Sequence, residues 1–347
     1  MAYISPFTSE YRKELLNKWA ARIKQLKIPI GDNTSIEKLL GDPIQIREWQ
    51  NFGLPADELS IENAIIMTNC RRWPLLIDPQ SQANKWIKNM KADQNLVKIK
   101  LTQQNFARYL ENAIRFGNPV LLENVEETLD PVLEPVLAKQ ITKKGAQYLI
   151  KLGDQDIPYN QEFRFYMTTK MPNPHYVPEI TIKVTLINFN VTPTGLDEQL
   201  LIEVFKNEKP ELEELRDTLI VQISDDNKQL VDLQDKILRQ IAEVQGNILD
   251  DEEIIITLGA SKITSETINK RMVDAKATNE SITKARNQYK AVSARGTILY
   301  FAIVDLSLID PMYQWSLEFF ITVFKRRLDQ SEKSEDISQR KQILVDD

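Results

Sequence analysis

A strand, a polar loop and a helix follow one another near residue 80, in the order that builds a phosphate-binding site. The strand is predicted at Pro74–Ile77, and the helix is predicted to begin at Ala83. The phosphate-loop position between and just after them holds Asp78, Gln80, Gln82 and Lys85. A working loop needs glycines so that backbone N–H groups can surround the phosphates, a lysine for the phosphate charge, and a Ser or Thr on Mg²⁺.

These residues are unsuited to holding a nucleotide. The loop contains no glycine, its first residue Asp78 would repel phosphate, and Lys85 is followed by Trp86 where a hydroxyl is required. None of the ten glycines of the chain belongs to a GxxxxGK[ST] motif. The sequence therefore predicts a degenerate phosphate loop and no bound cofactor.

A second apolar strand, predicted at Pro119–Leu122, ends in Glu123 and Asn124. ATP hydrolysis commonly uses two acids at such a strand end, one for Mg²⁺ and one for the attacking water. The amide of Asn124 cannot accept a proton, so the degenerate acidic pair predicts that hydrolysis has lost its base. Hydrogen bonding of both side chains to the loop backbone is the simpler interpretation.

The sequence offers few residues for other kinds of catalysis. Cys70 and His175 are the only residues of their types, which excludes an intrachain disulfide and a closed Cys/His zinc site. His175 lies in a proline-rich loop without a G-x-S-x-G elbow, and it is interpreted as a surface or packing residue. We expect no catalytic residue and no metal site.

The bulk properties exclude further classes of function. The net charge of −6 arises from 50 acidic and 44 basic residues spread along the 347 residues, so no broad basic face suggests nucleic acid or anionic lipid. No apolar run approaches the ~18 residues of a membrane span, and the first residues do not form a signal peptide. The single thiol fits a reducing compartment.

Around these motifs, short β-type runs alternate with helical patterns from Ile61 to Phe189, which predicts a parallel sheet flanked by helices. The predicted strands are Pro74–Ile77, Val97–Leu101, Pro119–Leu122, Phe163–Met167 and Val184–Phe189. A helix is predicted over Ser9–Leu26, and an amphipathic crossover helix is predicted at Phe106–Ile114.

After residue 195 a helical period continues for roughly a hundred residues. The first column of a heptad repeat is Ile223, Leu230, Ile237 and Val244, and the second contains Leu212, Leu219 and Leu233. Asp226 and Gln240 interrupt the second column, and Asn247 continues the first. A thinner repeat follows at Ile268, Ala275, Ile282 and Tyr289, with Met272 and Asn279 beside it. The pattern predicts a coiled-coil hairpin, although two helices of an ordinary bundle are the alternative.

The hairpin connection is not determined by the pattern. Gly246–Asn247 and Asp250–Asp251 either turn the chain or kink one helix. For Thr297–Ile309, helix and strand cannot be separated, because the segment is apolar and β-branched.

Several segments together resemble the dynein heavy chain, and specifically the fifth AAA+ module of its motor ring. The segments are Phe52–Pro55, Trp73–Gln80, Leu110–Pro119, Leu129–Leu137, Leu152–Ile157, Val184–Phe189 and Met312–Leu317, and the similarity covers about residues 2 to 325. The loop Thr168–Tyr176 is closer to axonemal than to cytoplasmic heavy chains. The resemblance implies a degenerate AAA+ sheet resembling P-loop NTPases, followed by an antiparallel helical coiled-coil hairpin and a helical segment.

This resemblance gives each part of the chain an expected role. Residues 1–60 are a lead-in segment, 61–194 the degenerate AAA+ large subdomain, and 195–296 a small-subdomain helix with the hairpin. Residues 297–327 return toward the next module, and the polar tail 328–347 is expected to be disordered. The hairpin, from about Lys206 to Ser293, resembles the strut, or buttress, that supports the stalk of the microtubule-binding domain.

The resemblance also implies partners and one contact. In the family this module binds no nucleotide, and hydrolysis occurs chiefly in the first module. Lys183 stands where family members often carry an arginine finger, so it is a candidate contact to a neighbouring module's nucleotide, with a surface lysine as the alternative. The implied partners are the neighbouring AAA+ modules, the stalk coiled coil, microtubules indirectly, and dynein light and intermediate chains through the full heavy chain.

The favoured interpretation is a non-hydrolysing mechanical module of a microtubule motor in the cytoskeleton of the ciliary axoneme, on the cytoplasmic side. It would transmit ring rotation through the hairpin to the stalk. The alternatives are an atypical regulatory ATP-binding module and a freestanding coiled-coil scaffold. Neither nucleic acid nor membrane is an expected partner.

Overall fold

The computed structural model describes residues 4–29, 35–145, 147–153, 155–243, 252–307, 309–313, 315–334 and 336–346. These residues form two compact units. The first contains Met1–Gln199 together with Ser316–Glu318, and the second contains Leu200–Trp315 together with Phe319–Asp347.

The described strands, in chain order, are β1 Trp73–Ile77, β2 Val97–Lys100, β3 Val120–Glu123, β4 Ile141–Lys144, β5 Gln147–Leu152, β6 Gln155–Pro158, β7 Phe165–Thr169 and β8 Val184–Asn188. Five of them form a parallel sheet in the order β2-β3-β7-β1-β8. Strand β1 pairs on both sides, with Leu75 opposite Met167 of β7 and Leu186 of β8. The predicted α/β fold is confirmed.

The described helices, in chain order, are α1 Ser9–Gln25, α2 Ile36–Leu40, α3 Pro43–Asn51, α4 Glu58–Asn69, α5 Gln82–Met90, α6 Phe106–Phe116, α7 Glu134–Leu137, α8 Pro178–Thr181, α9 Pro193–Glu208, α10 Pro210–Glu243, α11 Glu252–Asn287, α12 Lys290–Leu306, α13 Leu317–Gln330 and α14 Ile337–Asp346. Short 3-10 helices occupy Ala92–Gln94, Pro131–Leu133 and Pro311–Tyr313. The predicted helices at Ser9–Leu26 and Phe106–Ile114 are confirmed.

The sheet is covered by apolar side chains on both faces, because successive residues of a strand point to opposite sides. Leu75 belongs to a cluster with Ile114 of α6, whereas its neighbour Leu76 belongs to a second cluster with Trp86 of α5. All strand residues of β1 are buried, which explains the uninterrupted apolar run in its sequence.

Described residues within 4–29 and 35–60 pack on the same core as the sheet. Ile36, Ile46 and Trp49 join the cluster that contains Trp86. The buried guanidinium of Arg12 donates hydrogen bonds to the carbonyl oxygens of Ile4 and Ser5, at 3.1 and 2.7 Å. The segment predicted as a lead-in is therefore part of the first compact unit.

Strands β4, β5 and β6 form a separate antiparallel sheet that was not predicted from the sequence. Only Ile150, Leu152 and Ile157 of these strands are buried, and the remaining positions are partly or fully exposed. Gly145 and Gly153 follow β4 and β5 with φ of 63° and 59°, a conformation that favours glycine. In the sequence, the positions of these two glycines are the features that indicate tight turns.

In the second unit, α10 and α11 pack together as the predicted hairpin. Leu219 of α10 shares a buried cluster with Ala275 and Ile282 of α11, and Asp226 pairs with Arg271. Since residues later in α10 contact residues earlier in α11, the two helices run antiparallel. Of the predicted second repeat, Ile268, Met272 and Tyr289 are also buried.

Several predictions for the hairpin concern its far end. Val244, Asn247, and the proposed turns at Gly246–Asn247 and Asp250–Asp251 lie outside the described residues. The side chains of Ile237 and Gln240 are likewise not described. At the other end, Val204 and Phe205 of α9 and Leu328 of α13 join the cluster of Leu219. This end of α10 and α11 therefore packs as part of a helical bundle, while the two helices also pack on each other as a hairpin.

Two segments differ from or refine their sequence predictions. The ambiguous segment 297–309 is helical to Leu306, because α12 buries Val292, Gly296 and Tyr300 at helical spacing. The tail was predicted to be disordered, but α14 is a helix with Arg340 and Leu344 buried. The prediction of disorder was based on the polar composition of the tail, which does not show that one of its charges is paired inside the fold. Arg340 donates to both carboxylate oxygens of Glu208, at 3.0 and 2.6 Å.

None of the helices in the described ranges is long and apolar enough to cross a membrane.

Candidate functional site

The carboxylate of Asp78 lies at the first turn of α5, where a phosphate group would bind in a working loop. Its Oδ1 accepts the backbone N–H of Gln82 at 2.9 Å, and its Oδ2 accepts that of Asn84 at 2.8 Å. Asp78 is only 2% exposed. Helix N-termini bind anions through these free N–H groups. Here the anion is a side chain of the protein itself.

The loop backbone is arranged to bring this carboxylate into place. The N–H of Asp78 donates to the carbonyl of Thr169 at 2.9 Å, which continues the pairing of β1 with β7. Ser81 then takes a left-handed conformation with φ of 62°, a role that glycine usually fills. The turn therefore forms without glycine, and the loop is short enough for Asp78 to reach back to the helix.

Two opposing effects set the protonation of Asp78. Burial raises the pKa of Asp78 to about 6, while backbone N–H groups of residues 81–84 donate to the carboxylate and oppose the rise. The group is thus ionised at neutral pH. A second anion at this helix end would meet both its negative charge and its volume.

Gln82 and Gln80 differ in their hydrogen bonding. The amide of Gln82 donates to Gln199 at 2.9 Å, and Gln199 in turn donates to Asp57 at 2.8 Å. Asp57 also accepts the N–H of Ser60 and so caps α4. The side-chain oxygen of Gln80 is buried without a hydrogen-bond partner among the described residues.

Lys85 and Trp86 occupy the positions where a phosphate loop would carry lysine and hydroxyl. Lys85 is exposed and forms an ion pair with Glu318 at 2.6 Å. Trp86 is fully buried and packs its ring edge against Trp49 at a centroid distance of 6.0 Å. The tryptophan is therefore a core residue in place of a metal-binding hydroxyl.

Glu123, at the end of β3, accepts contacts from α5. Its Oε1 lies 2.5 Å from the ammonium of Lys88 and accepts the side-chain N–H of Asn84 at 3.2 Å. Burial would raise the pKa of Glu123, but the hydrogen bonds from Lys88 and Asn84 hold it below its ordinary value. Asn84 also donates to the hydroxyl of Thr168 at 3.2 Å. The carboxylate that could hold Mg²⁺ is thus neutralised by a lysine.

Asn124 has no such role in the network. It is exposed with φ of 56°, in the left-handed region that asparagine tolerates. The next residue, Val125, donates its N–H to the carbonyl of Thr168 at 2.9 Å. The hydrogen bonds of Glu123 thus run to side chains, whereas the sequence interpretation placed them on loop backbone.

Lys183 and His175 lie apart from the network. Lys183 forms an ion pair with Glu134 at 2.5 Å, so its ammonium is engaged within the chain. The predicted contact with a neighbouring module's nucleotide stays a prediction. His175 is exposed, and its backbone N–H donates to Glu127 at 3.1 Å. The described residues contain no cluster of three or more His, Cys, Asp or Glu residues suited to a metal ion.

The residues that the sequence reading missed are Asn84 and Lys88. They lie one helical turn apart on α5 and both reach Glu123. The sequence shows how far Asn84 and Lys88 follow Asp78. That both side chains reach Glu123 depends on the position of β3 beside β7 in the sheet. The loop, the acid and the helix thus form one closed network, in which the side chains of Asp78 and Glu123 both bind other groups of the protein.

Comparisons with known proteins agree with this architecture. A family model described as the ATP-binding dynein motor region matches residues 47–268. Dynein axonemal heavy chain 6 of Homo sapiens is 52% identical over 346 residues, which is 100% of this chain and 8% of that protein.

Two further relatives show the same extent of similarity. Dynein axonemal heavy chain 3 of Mus musculus is 45% identical over 346 residues, 100% of this chain and 8% of that protein. The dynein-1-beta heavy chain of the flagellar inner arm I1 complex of Chlamydomonas reinhardtii is 43% identical over 348 residues, with the same coverage. The chain spans about 8% of the length of these relatives.

The family match covers more than half of the chain, and the identity to axonemal heavy chains extends over its whole length. The location implied by these relatives is the cytoskeleton of the axoneme, in a cilium or flagellum. The chain belongs to the dynein heavy chain family and lies within the ATP-binding motor region of that family.

Proposed function

We propose that this chain is the fifth AAA+ module of an axonemal dynein heavy chain and serves the microtubule motor mechanically, without hydrolysing ATP. The observation that carries the proposal is the carboxylate of Asp78, which accepts the N–H groups of Gln82 and Asn84 at the start of α5. A carboxylate of the protein itself at this place accepts these two N–H groups, so neither of them is free to bind phosphate.

The second expected element of hydrolysis is also engaged. Glu123 is neutralised by Lys88, and the following Asn124 has no proton-accepting carboxylate. Since phosphoryl transfer depends on positioned charges around Mg²⁺ and water, a site with both anchors engaged favours a structural role. The hydrolysis would then be left to other modules of the ring, which are also the proposed neighbours of this one.

The hairpin supplies the mechanical part of the proposal. Helices α10 and α11 have 34 and 36 residues, so each is about 50 Å long at 1.5 Å per residue. A small rotation at the base of such a rod becomes a displacement of several ångströms at its far end. We expect the hairpin to act as the strut that supports the stalk coiled coil, and so to reach microtubules indirectly.

One polar contact makes this rod resistant to sliding. Asp226, only 2% exposed, accepts the Nε–H of Arg271 at 3.0 Å and a second guanidinium N–H from the same residue. A buried polar pair in the hairpin seam favours one register, because a shift by one turn would leave the buried carboxylate unpaired. A strut that keeps its register can transmit force along its axis.

Amide hydrogen exchange tests the silent phosphate site directly. We expect the amides of Gln82 and Asn84 in the 347-residue chain to exchange at the same rate with and without Mg-ATP, because Asp78 already accepts them. Protection by Mg-ATP confined to residues 78–86 would overturn the proposal and favour an atypical regulatory ATP site. Adenosine with Mg²⁺ is the control for effects unrelated to phosphate.

Deleting Gln222–Asn279 within a full heavy chain tests the strut. The deletion removes the outer parts of α10 and α11. We expect ATP turnover to continue while microtubules no longer stimulate it. Leu238→Ala is the matched control, since Leu238 lies on the same hairpin and is 64% exposed. Unchanged coupling in the deletion variant would show that the hairpin does not transmit force.

A further inference from the structure

A cavity of about 620 Å³ opens at the edge of the parallel sheet opposite to Asp78. It is lined by the first residues of β1 and β7, Trp73 and Phe165, and by Cys70 just after α4. Parallel strands all begin at one edge and end at the other, so this cavity and the Asp78 network lie at opposite ends of the strands. Ligands of open α/β sheets usually bind at the carboxyl ends, and the cavity is therefore not the counterpart of the phosphate loop.

The cavity concentrates positive charge. Its lining includes five basic residues and no Asp or Glu, the basic residues being Arg71, Arg72, Lys91, Lys139 and Arg164. None of the five forms a salt bridge with an acidic residue in the described parts of the chain. The charge of this cluster is opposite in sign to the net charge of the chain, which is −6.

Backbone carbonyl groups account for part of this charge. The ammonium of Lys139 donates to the carbonyl of Arg71 at 2.5 Å, and Arg164 donates to the carbonyl groups of Gln161 and Phe163 at 3.1 and 3.0 Å. The C-termini of α4 and α5 also lie at this edge, and each contributes about half a negative charge. Five full positive charges exceed these partial charges, so the cavity has a net positive charge that attracts anions, although four of the five side chains are also exposed to water.

Burial is the main cause of the lowered pKa values of the two lysines in the cavity, and the neighbouring positive charge adds to it. Burial lowers the pKa of Lys91, and the positive charge of Arg164 lowers it further. Burial likewise lowers the pKa of Lys139, again with a contribution from Arg164, although the Cys70 thiol opposes it. An anion bound between these side chains would offset the part of each pKa shift that Arg164 causes.

The shape and side chains of the cavity indicate which anion fits. Guanidinium groups present paired N–H donors that match phosphate oxygens, and three of the five cations are arginines. The wall is aromatic, with Trp73 under the Lys139 ammonium at 4.0 Å and Tyr166 nearby. The volume lies in the range of small-molecule sites. We propose that this cavity binds a phosphate-bearing anion through Lys91, Lys139 and Arg164, with Arg71 and Arg72 at its rim.

Cys70 provides a reporter for this site, because it lines the cavity and is the single cysteine of the chain. Its alkylation rate in the intact 347-residue chain is measured at about pH 8, where the reactive thiolate is present in a small fraction. Pyrophosphate at about ten times its Kd should slow alkylation roughly tenfold, since only the free protein reacts. Sodium chloride at matched ionic strength should leave the rate within a factor of two.

Variants decide whether protection comes from the proposed cations. Combined Lys91→Gln and Arg164→Gln substitutions should abolish protection, whereas Lys85→Gln, at the opposite edge of the sheet, should retain it. If the double variant unfolds by circular dichroism, the exposed Arg72→Gln substitution replaces it and should weaken protection several-fold. Calorimetric titration of pyrophosphate into the same variants gives a second measurement that does not depend on Cys70.

Two test ligands distinguish the possible sources of the phosphate group. Protection by Mg-ATP but not by a phosphoserine peptide assigns a free nucleotide, and the reverse assigns a phosphorylated protein segment. Equal protection by a polyglutamate peptide, or protection that survives the double substitution, would overturn the proposal. Exchange of the α5 amides distinguishes this site from the Asp78 site, because binding in the cavity leaves residues 78–86 unprotected.

Discussion

Replacing Asp78 by asparagine isolates the balance between burial and hydrogen bonding at the start of α5. The folded carboxyl has a pKa raised from 3.8 to about 6, with burial as the main cause. A group whose pKa is higher in the folded state stabilises the fold below its unfolded pKa, and this contribution is lost as the pH rises through the folded value. The native protein should therefore lose stability at this position between about pH 4 and pH 6.

The size of the effect follows from the same two values. A rise from 3.8 to about 6 corresponds to about 3 kcal/mol, at 1.36 kcal/mol per pKa unit. The asparagine variant does not titrate here. It loses one charged acceptor, which costs about 1 to 2 kcal/mol as a helix cap. The difference in unfolding free energy between native protein and variant should thus shift in favour of the variant by up to about 3 kcal/mol from pH 4 to pH 7.

Urea unfolding followed by tryptophan fluorescence measures this difference. Four of the five tryptophans, Trp19, Trp49, Trp73 and Trp86, belong to the first compact unit, so the signal reports mainly on the unit that contains Asp78. The matched control is Asp42→Asn, which changes a half-buried carboxylate that caps α3. Subtracting this control removes the titration of other groups. A shift in the opposite direction would refute the reasoning, because it would mean that the N–H donors outweigh burial and lower the pKa.

The remaining predictions concern the second unit. Leu219→Ala should destabilise the unit by about 2 to 4 kcal/mol through a cavity in the hairpin seam, whereas Leu238→Ala should change the urea midpoint little, as Leu238 is 64% exposed. Arg271→Met should lower the melting temperature measured by circular dichroism, because it leaves Asp226 buried and unpaired. Adding Asp226→Leu to this variant should restore the melting temperature. If it does not, the loss of the ion pair is not the cause. Arg340→Gln should cost about 3 to 5 kcal/mol and speed amide exchange in Ile337–Asp346, because Glu208 loses its bidentate partner; unchanged exchange in α14 would contradict this.

The elements most accurately predicted from the sequence are those whose pattern repeats. Strand β1 is a continuous apolar run because both faces of the sheet are covered there, and the predicted bounds of the five parallel strands differ by at most two residues from those observed. The heptad positions Leu219, Ile268 and Ile282 are buried as the repeat requires. Strands β4 to β6 were not predicted because short strands with at most two buried residues carry no such repeat.

The sequence by itself determined what the site lacks. The absence of glycine and of a hydroxyl after Lys85, and an amide after Glu123, are properties of residue type that no fold can change. Only the tertiary structure decided what takes the place of the missing ligand. The pairing of Glu123 with Lys88 and the burial of Arg340 against Glu208 depend on contacts between distant segments. The capping of α5 by Asp78 is local, but the N–H of Asp78 is itself bound by Thr169 of β7. A charge in a sequence does not reveal its partner, because the free energy of a buried charge is set by the dipoles and counter-charges that the fold brings to it.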